Sequence, residues 1–324
     1  MIKSKYQTIF FIFFIAFGFI FSPIFSEKKK NYKTNHSIKL EEIHRVEKDF
    51  EFVLTSRKFF PGELVCLTIS SKSKKMKEKD FQIFWKGEEY PLYNLQGKWL
   101  SFLPISPEEK PGYILLEVKH GTWYTGKIKK KYEVEIHKSQ FIVQERQSIT
   151  LPQKYVSKTL PKDILEFIKE CEKKKLIAFQ SDSKIMLEDD FVFPLREKKI
   201  SSPFYIQRNY NKKKGRPHGG VDFRGKTGNP IFAIQSGKVV LSRPMYFEGV
   251  FTVIDHGAKI FSFYMHQSET LVKEGDFVKK GSLIGRVGST GMSTGPHLHL
   301  GMKVRGTLID PLSAIALKLK ALTI

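Results

Sequence analysis

The fold of this chain is decided by the stretch Ser293-Thr294-Gly295-Pro296-His297-Leu298-His299-Leu300-Gly301-Met302-Lys303-Val304. A turn signal at Gly295-Pro296 comes first, and the residues that follow it predict a strand. Because side chains alternate between the two faces of a strand, His297 and His299 share one face. Two imidazoles on one face are either satisfied polar groups on a solvated sheet or part of a site. The rest of the chain decides between these interpretations.

A second cluster lies upstream, in Pro217-His218-Gly219-Gly220-Val221-Asp222-Phe223. Its two adjacent glycines argue against a helix, and in an extended chain His218 and Asp222 lie on one face. A catalytic zinc usually has three protein ligands from imidazole or carboxylate groups, plus water. The two clusters supply four such groups, which leaves one histidine for chemistry. Five of the nine histidines lie between residues 218 and 299, and this enrichment favours a site.

Residues 1–26 predict a targeting segment with a basic start, an apolar run at 9–21 and charged residues after it. The run is short for a membrane-spanning helix of about 20 residues and is typical of a signal peptide. Ile24 lies where the cleavage signal prefers a small residue, so an uncleaved N-terminal membrane anchor stays open. In both cases we expect the chain to be exported, to the periplasm or cell envelope, or to be membrane-anchored and face outward.

The formal net charge of +22 suits an exported protein that meets anionic envelope polymers. The alternative is a lysine bias spread over solvated surface, since the lysine clusters are scattered. No nucleic-acid motif occurs, so we predict no nucleic-acid partner, and membrane contact only through the N-terminal segment if it is uncleaved. The two cysteines, Cys66 and Cys171, either pair in an oxidising compartment or stay as buried thiols.

The predicted fold class is mainly β, with an N-terminal β-sandwich-like domain, a short helical linker and a C-terminal all-β domain. Residues 27–44 are polar and predict a linker. Short strands with regular turns over residues 45–145 indicate a β-sandwich accessory domain of immunoglobulin type. Residues 146–192 predict a linker with one helix, which begins after Pro161. From residue 193 to 316 glycines and valines increase and the turns become dense, as in an all-β domain. The predicted strands lie at 50–54, 64–69, 81–85, 99–102, 113–118 and 132–136.

Residues 193–313 resemble the lysostaphin-like, or LytM-type, zinc metallopeptidases, which have the duplicated hybrid motif fold and cut peptidoglycan peptides. Many elements occur in the family's order, which makes the resemblance specific. The matching motifs are His218-Gly219-Gly220-Val221-Asp222, Gly237-Lys238-Val239, Val253-Ile254-Asp255-His256-Gly257, Tyr264-Met265-His266, Gly275-Asp276-Phe277-Val278-Lys279-Lys280-Gly281 and Gly288-Ser289-Thr290-Gly291-Met292-Ser293-Thr294-Gly295-Pro296-His297-Leu298-His299.

The resemblance implies one zinc ion bound by His218, Asp222 and His299, with His297 and His266 as the catalytic histidines. It implies an exported zinc metalloendopeptidase that hydrolyses peptidoglycan, at a stem peptide or a cross-link, for cell-wall remodelling. Since no His-Glu-x-x-His motif occurs, no glutamate base of that type is available, and a histidine must be the base. We assign this role to His297, and we expect His266 to bind the oxyanion or share the proton transfer.

The chain departs from the family pattern in three places. The family often has Phe-Gly ahead of an Arg before the first ligand, whereas this chain has Phe204-Tyr205-Ile206-Gln207-Arg208. Lys212-Lys213-Lys214 is an unusual insertion, and Leu300-Gly301-Met302 replaces a common Phe-Glu. The first two departures affect the rim of the cleft rather than the metal ligands, and the third is a known kind of variation in such sequences. His256 matches a family histidine that is not a ligand, and we interpret it as structural.

Other functions are also consistent with the sequence. A catalytically silent cell-wall binding regulator of other hydrolases would keep the fold, but such proteins usually lack a ligand, and all five positions are filled here. A structural envelope protein or a zinc peptidase of ordinary proteins is also consistent with the sequence. Metal analysis of the purified protein separates an enzyme from a silent relative. The oligomeric state has no sequence signal.

Overall fold

The computed structural model describes residues 39–322, apart from 73–76, 96, 122–125, 140, 147–154, 156–158 and 211–213. The predicted leader at 1–26, most of the predicted linker at 27–44, and Lys212 and Lys213 of the insertion lie outside the described residues. Within the described ranges, no helix is both long enough and apolar enough to span a membrane.

The N-terminal part consists of two antiparallel sheets that pack face to face. One sheet has the order β1-β2-β3-β7-β6, and the other has the order β5-β4-β8-β9. Alternate residues of each strand face a shared core, in which Trp85 and Leu116 are almost fully buried. The strands are β1 (Glu41–Val46), β2 (Phe50–Ser56), β3 (Leu64–Ser71), β4 (Phe81–Trp85), β5 (Glu88–Tyr90), β6 (Tyr93–Leu95), β7 (Lys98–Pro104), β8 (Gly112–His120) and β9 (Ile128–Ile136).

The predicted linker at 27–44 extends too far, because β1 begins at Glu41 and pairs with β2 along its whole length. Only Ile43 of β1 packs against the core, and most of its other side chains are exposed. A strand at the edge of a sheet often carries charged residues. Its sequence therefore looks like a polar linker.

The C-terminal part is built on one long antiparallel sheet with the order β11-β13-β20-β17-β16-β15-β18, to which β14, β19 and β21 are attached. Its strands are β11 (Ile200–Ser202), β12 (Gln207–Tyr210), β13 (Val221–Arg224), β14 (Pro230–Phe232), β15 (Gly237–Met245), β16 (Gly249–Asp255), β17 (Ile260–Thr270), β18 (Phe277–Val278), β19 (Leu283–Val287), β20 (His297–Val304) and β21 (Thr307–Ile309). The mainly β fold predicted from the sequence is confirmed.

The two faces of strand β20 have different environments. Its even-numbered residues from Leu298 to Val304 lie in the large buried core. The odd-numbered residues, which include His297 and His299, lie on the opposite face. The alternation predicted from the sequence thus separates the core from the candidate site.

The connection between the two parts contains β10 (Val143–Arg146), which pairs in parallel with β12, and α1 (Lys162–Phe179). The residues after α1 belong to the C-terminal domain, since Leu187 and Phe191 are buried in its core. The main-chain N–H of Met186 also donates to the carbonyl of His256, at 2.8 Å. The domain therefore begins before residue 193, the predicted boundary.

The C-terminal domain ends in two short helices, α2 (Pro311–Ala316) and α3 (Leu319–Leu322), which follow the last strand of the all-β part. The carboxylate of Asp310 caps α2 by accepting from the N–H of Leu312 at 2.9 Å. Asp at the N-cap and Pro at the first helical position are a recognised helix start.

The two domains share buried contacts. Leu64 and Phe102 of the N-terminal sheet lie in the same hydrophobic cluster as the core of the C-terminal sheet. Arg57 forms ion pairs with Glu63 of its own domain and Asp310 of the other. Both cysteines are free and buried, and they lie in different hydrophobic clusters.

Candidate metal centre

Three predicted ligands converge at the junction of β13 and β20. Asp222 lies directly opposite His299 in the antiparallel register, and His218 precedes β13. The Nε2 atom of His218 is 2.9 Å from Oδ1 of Asp222 and 2.9 Å from Nδ1 of His299. The Nδ1 atom of His299 is 3.0 Å from the same carboxylate oxygen. Among the described residues, these form the group of histidines, cysteines and carboxylates that could hold a metal ion.

The donor set and its spacing fit a divalent ion of zinc type. Two imidazoles and one carboxylate are zinc ligands, and bonds of about 2.0–2.1 Å at tetrahedral angles place ligand atoms roughly 3.3 Å apart. The other ring nitrogen of His218, Nδ1, donates to the carbonyl of Pro203 at 2.9 Å. This contact fixes the tautomer and turns the lone pair of Nε2 toward the cluster, as metal-binding histidines require.

The charges of the cluster suit a cation. Burial alone would raise the pKa of Asp222, but His218 and His299 hold that pKa well below its usual value. Burial lowers the pKa of His299, which favours the neutral imidazole. A neutral imidazole and an ionised carboxylate are the forms that bind a metal.

Gly220 permits the close approach of the two strands. A Cβ atom there would lie 2.3 Å from the carbonyl oxygen of Leu300 and 2.7 Å from Nε2 of His299. Real Cβ atoms do not approach other atoms so closely, so any side chain would displace β20. The motif needs glycine at this position for space rather than for a special φ angle.

His297 lies beside the three ligands. Its Nε2 atom is 3.8 Å from Oδ1 of Asp222, and its Nδ1 donates to the carbonyl of Gly295 at 2.7 Å. The proton is thus held on Nδ1, so Nε2 carries the lone pair and faces the cluster. This is the orientation required of a general base.

His266 reaches the same cleft through an unusual backbone conformation. Its φ is 63°, a left-handed conformation that costs a non-glycine residue about 1–3 kcal/mol and often marks functional sites. Met265 is the partner of His299 across the strands, so regular alternation would place His266 on the opposite face. Instead, its ring centroid lies 4.9 Å from that of His297.

The ring of His266 is held like that of His297. Its Nδ1 donates to the carbonyl of Thr290 at 2.8 Å, which leaves Nε2 free. Burial and the neighbouring His297 lower the pKa of His266 to about 4. A histidine with this pKa is neutral at pH 7.

His256 lies away from the cluster. It is fully buried, and its ring nitrogens contact the carbonyl of Ser236 and the hydroxyl of Ser262, each at 2.8 Å. Both nitrogens have partners inside the core, so a structural role accounts for this histidine.

Sequence reasoning missed several supporting residues. The hydroxyl of Ser202 is 3.3 Å from Nδ1 of His218 and accepts from Arg208 at 2.7 Å. The ring of Phe263 stacks on His299, with centroids 6.2 Å apart and planes at 26°. The sequence feature that could have indicated this contact is Gly301. A Cβ atom at this position would lie 2.0 Å from the Phe263 ring, so only glycine leaves room for the ring.

Tyr205 occupies the position where the family often has glycine. Its φ is 56°, so the departure from the Phe-Gly pattern keeps a left-handed backbone. The ring of Tyr205 packs against Phe141, with centroids 4.7 Å apart. This contact offsets the cost of the conformation.

Comparison with known proteins identifies relatives of the C-terminal part. Residues 216–311 match the model of peptidase family M23. A Haemophilus influenzae protein described as an uncharacterized metalloprotease is 40% identical over 124 residues, which are 37% of this chain and 26% of the relative. Peptidoglycan DD-endopeptidase ShyA of Vibrio cholerae is 39% identical over 124 residues, which are 38% of this chain and 29% of the relative. The chain thus spans less than a third of the length of these curated relatives.

A solved structure extends the likeness beyond this domain. The crystal structure of a candidate peptidase M23 from Pseudomonas aeruginosa has a TM-score of 0.57 and 26% identity, and it covers 80% of this chain and 95% of that chain. The likeness in fold therefore includes much of the N-terminal part. Residues 216–311 of this chain form a domain of peptidase family M23.

Proposed function

We propose that this protein is an exported zinc metalloendopeptidase that hydrolyses peptide bonds of peptidoglycan. The observation that carries the proposal is the convergence of His218, Asp222 and His299 within 2.9–3.0 Å of one another, with the free nitrogens of two further histidines beside them. This arrangement has three ligands and two groups that can accept or donate a proton.

A zinc ion held by the three ligands would lower the pKa of a bound water and polarise a peptide carbonyl. His297 accepts the proton of the attacking water at Nε2, because its Nδ1 already donates to Gly295. The same nitrogen then returns the proton to the leaving amine. His266 presents Nε2 beside it and can share this one proton with His297; while Nε2 of His266 holds the proton, it can donate to the developing oxyanion.

Three observations support peptidoglycan as the substrate. The relative ShyA is named a peptidoglycan DD-endopeptidase. The net charge of +22 favours association with anionic wall polymers. The leader-like segment at residues 1–26 supports export to the periplasm or cell envelope, where peptidoglycan lies.

The test is digestion of purified, cross-linked muropeptides by the zinc-loaded full chain, with the fragments identified by mass. We expect a peptide bond to be cleaved, and the fragment masses identify it as a stem-peptide bond or a cross-link. The control is the His297→Ala variant, which keeps the metal ligands. No cleavage by a wild-type chain that holds one zinc ion would contradict the proposal and favour a silent cell-wall binding protein.

A further inference from the structure

An arginine lies on the metal-site face of the long sheet, beside the proposed catalytic base. Arg224 is directly opposite His297 in the antiparallel register, two residues along β13 from Asp222. Directly opposite residues share a face, so the side chain of Arg224 is on the same face as His297. The burial of β13 agrees with this placement: Val221 and Phe223 lie in the large core, whereas Asp222 and Arg224 are half-buried.

A second arginine, Arg208, reaches the same face from the rim of the cleft. Ser202 lies opposite Asp222 in the pairing of β11 with β13, so its side chain is also on the metal-site face. The guanidinium of Arg208 donates to the hydroxyl of Ser202 at 2.7 Å, and the same hydroxyl is 3.3 Å from Nδ1 of His218. The two arginines therefore border the metal cluster on the side of β11 and β13.

The charges of these two arginines are not balanced by the protein nearby. Among the described residues, neither guanidinium forms an ion pair with a carboxylate, and the carboxylate of Asp222 is paired with histidines. By contrast, Arg57, Arg243 and Arg286 each contact a carboxylate. A guanidinium is always charged, and it binds a carboxylate through two parallel N–H bonds. Two half-buried cations beside the reacting centre thus point to an anionic group of the substrate.

The position of Arg224 sets how far this anionic group lies from the bond that is cut. Two residues along a strand separate the Cα atoms of Asp222 and Arg224 by about 7 Å. An extended peptide also advances about 3.3 Å per residue, so a group bound by Arg224 lies about one to two residues from the carbonyl that is attacked. A peptide supplies a carboxylate at this distance either as an acidic side chain or as its C-terminus.

We propose that Arg224, assisted by Arg208, binds a free carboxylate of the substrate close to the scissile bond and makes the peptidase selective for an acidic peptide. This inference rests on the proposed function and adds the class of substrate. The paired guanidinium and carboxylate fix the peptide over the metal ligands. An amide in place of the carboxylate has nearly the same shape, but it loses the charge attraction and leaves the guanidinium unpaired.

The test uses the zinc-loaded full chain and three forms of one cross-linked muropeptide: unmodified, amidated at its acidic side chain, and amidated at its C-terminus. The values of kcat/KM and KM are measured for each form. The variants are Arg224→Gln and Arg208→Gln, and the zinc content of each is checked first. The matched control is Arg196→Gln, because Arg196 is exposed and lies beside Ile315, which belongs to the core on the other face of the sheet.

We expect one of the two amidations to lower kcat/KM of the wild type by at least about tenfold, mainly through a higher KM, as for the loss of a hydrogen bond between charged groups. The form that is affected shows which carboxylate is bound. Arg224→Gln should cleave this form and the unmodified form at rates within about twofold of each other. Arg208→Gln should lose part of the preference, and Arg196→Gln should keep it.

Two results would overturn the proposal: a wild type that cleaves all three forms equally, and an Arg224→Gln variant that keeps the wild-type preference. If Arg224→Gln does not retain zinc, Arg224→Lys is tested, which keeps the charge without the planar fork and should retain only part of the preference. The preference of the wild type should also decrease as salt is added, because salt screens partly exposed charges. A preference that does not change with salt would contradict a charge pair.

Failure of the proposed function gives a different pattern. In that case the zinc-loaded wild type cleaves none of the three forms, and their binding is measured instead. Tighter binding of the unmodified form by the wild type, lost in Arg224→Gln, supports the carboxylate site. Equal binding of all three forms contradicts it.

Discussion

The four histidines around the cleft differ in which ring nitrogen faces the cluster of metal ligands. His218, His266 and His297 each place Nδ1 on a carbonyl oxygen, so each directs Nε2 into the cleft. His299 instead directs Nδ1 at the cluster. One ligand and the two catalytic candidates are thus oriented by main-chain carbonyls, and the hydroxyls of Ser202 and Ser293 lie 3.3 Å and 3.4 Å from Nδ1 of His218 and His297.

At the residue scale, replacing His297 by alanine separates catalysis from metal binding. We expect His297→Ala to lower the rate of hydrolysis by about 10²–10⁴-fold, the usual contribution of a positioned acid–base group, while its zinc content stays that of the wild type. Cleavage rates and elemental analysis of the same sample measure both effects. The exposed His44 provides a control, since His44→Ala should change neither. Wild-type activity in a zinc-loaded His297→Ala sample would remove this residue from the mechanism.

Gly220 offers a second test at this scale. A methyl group at Gly220 would collide with the Leu300 carbonyl and the ring of His299, and we expect Gly220→Ala to weaken zinc binding by at least about 10–100-fold, the effect of disturbing a supporting group. Gly219→Ala is the matched control, because its new methyl group would meet only the side chain of Leu308, at 3.8 Å. Equal zinc affinity in the two variants would show that the close approach of the strands does not position the site.

At the scale of elements, the positions of most strands can be predicted from the sequence. Which strands lie at a sheet edge, and which sheet face a helix covers, cannot. The predicted strands at 64–69 and 81–85 lie within β3 and β4, since alternation and turn residues are local signals. The edge strand β1 was missed because its burial pattern is almost entirely exposed. The helix that begins after Pro161 is predicted from its apolar spacing, and the structure extends it to Phe179. Spacing does not show which face of a sheet the helix covers.

The site shows the same division between local and non-local information. The shared face of His297 and His299 follows from strand geometry alone. The turn of His266 into the cleft depends on a φ of 63°, for which the residue type gives no signal. The placement of Phe263 over His299 depends on the pairing of β17 with β20, which brings residues from distant parts of the chain together.

The pairing of β17 with β20 gives a prediction of its own. Gly301 lies under the ring of Phe263, so Gly301→Ala forces that ring to move. We expect the free energy of unfolding to fall by about 1–3 kcal/mol, as for other overpacked cores. Denaturant unfolding measures the change, and Gly219→Ala again serves as the control. A neutral effect would mean that the ring of Phe263 is loosely packed against Gly301.

At the scale of the whole molecule, the N-terminal domain is fixed to the peptidase domain. Arg57 contacts carboxylates of both domains, and the N–H of Leu64 donates to the hydroxyl of Ser313 at 3.1 Å. These contacts lie at the base of α2, on the far side of β20 from α1. The N-terminal domain therefore packs against the large core on one face of the sheet, whereas α1 packs on the other face.

The stability of the molecule should depend on pH through His256. Burial lowers the pKa of His256 to about 4, from an ordinary value of 6.5, so the unfolded state binds a proton between these values and the folded state does not. Its contribution to stability is complete above pH 6.5 and is lost as the pH falls toward 4, by about 3 kcal/mol in total. Denaturant unfolding from pH 7 to pH 4 measures this loss. His256→Gln should flatten the profile, and an unchanged slope in that variant would assign the effect to other groups.

The most direct test of the account is the zinc content of the purified full chain after dialysis, measured by elemental analysis beside that of Asp222→Ala. The account predicts one zinc ion per wild-type chain and a loss of zinc in the variant, because the carboxylate supplies the cluster with its negative charge and one of its three ligand atoms. Equal zinc in both proteins, or no zinc in either, would contradict it.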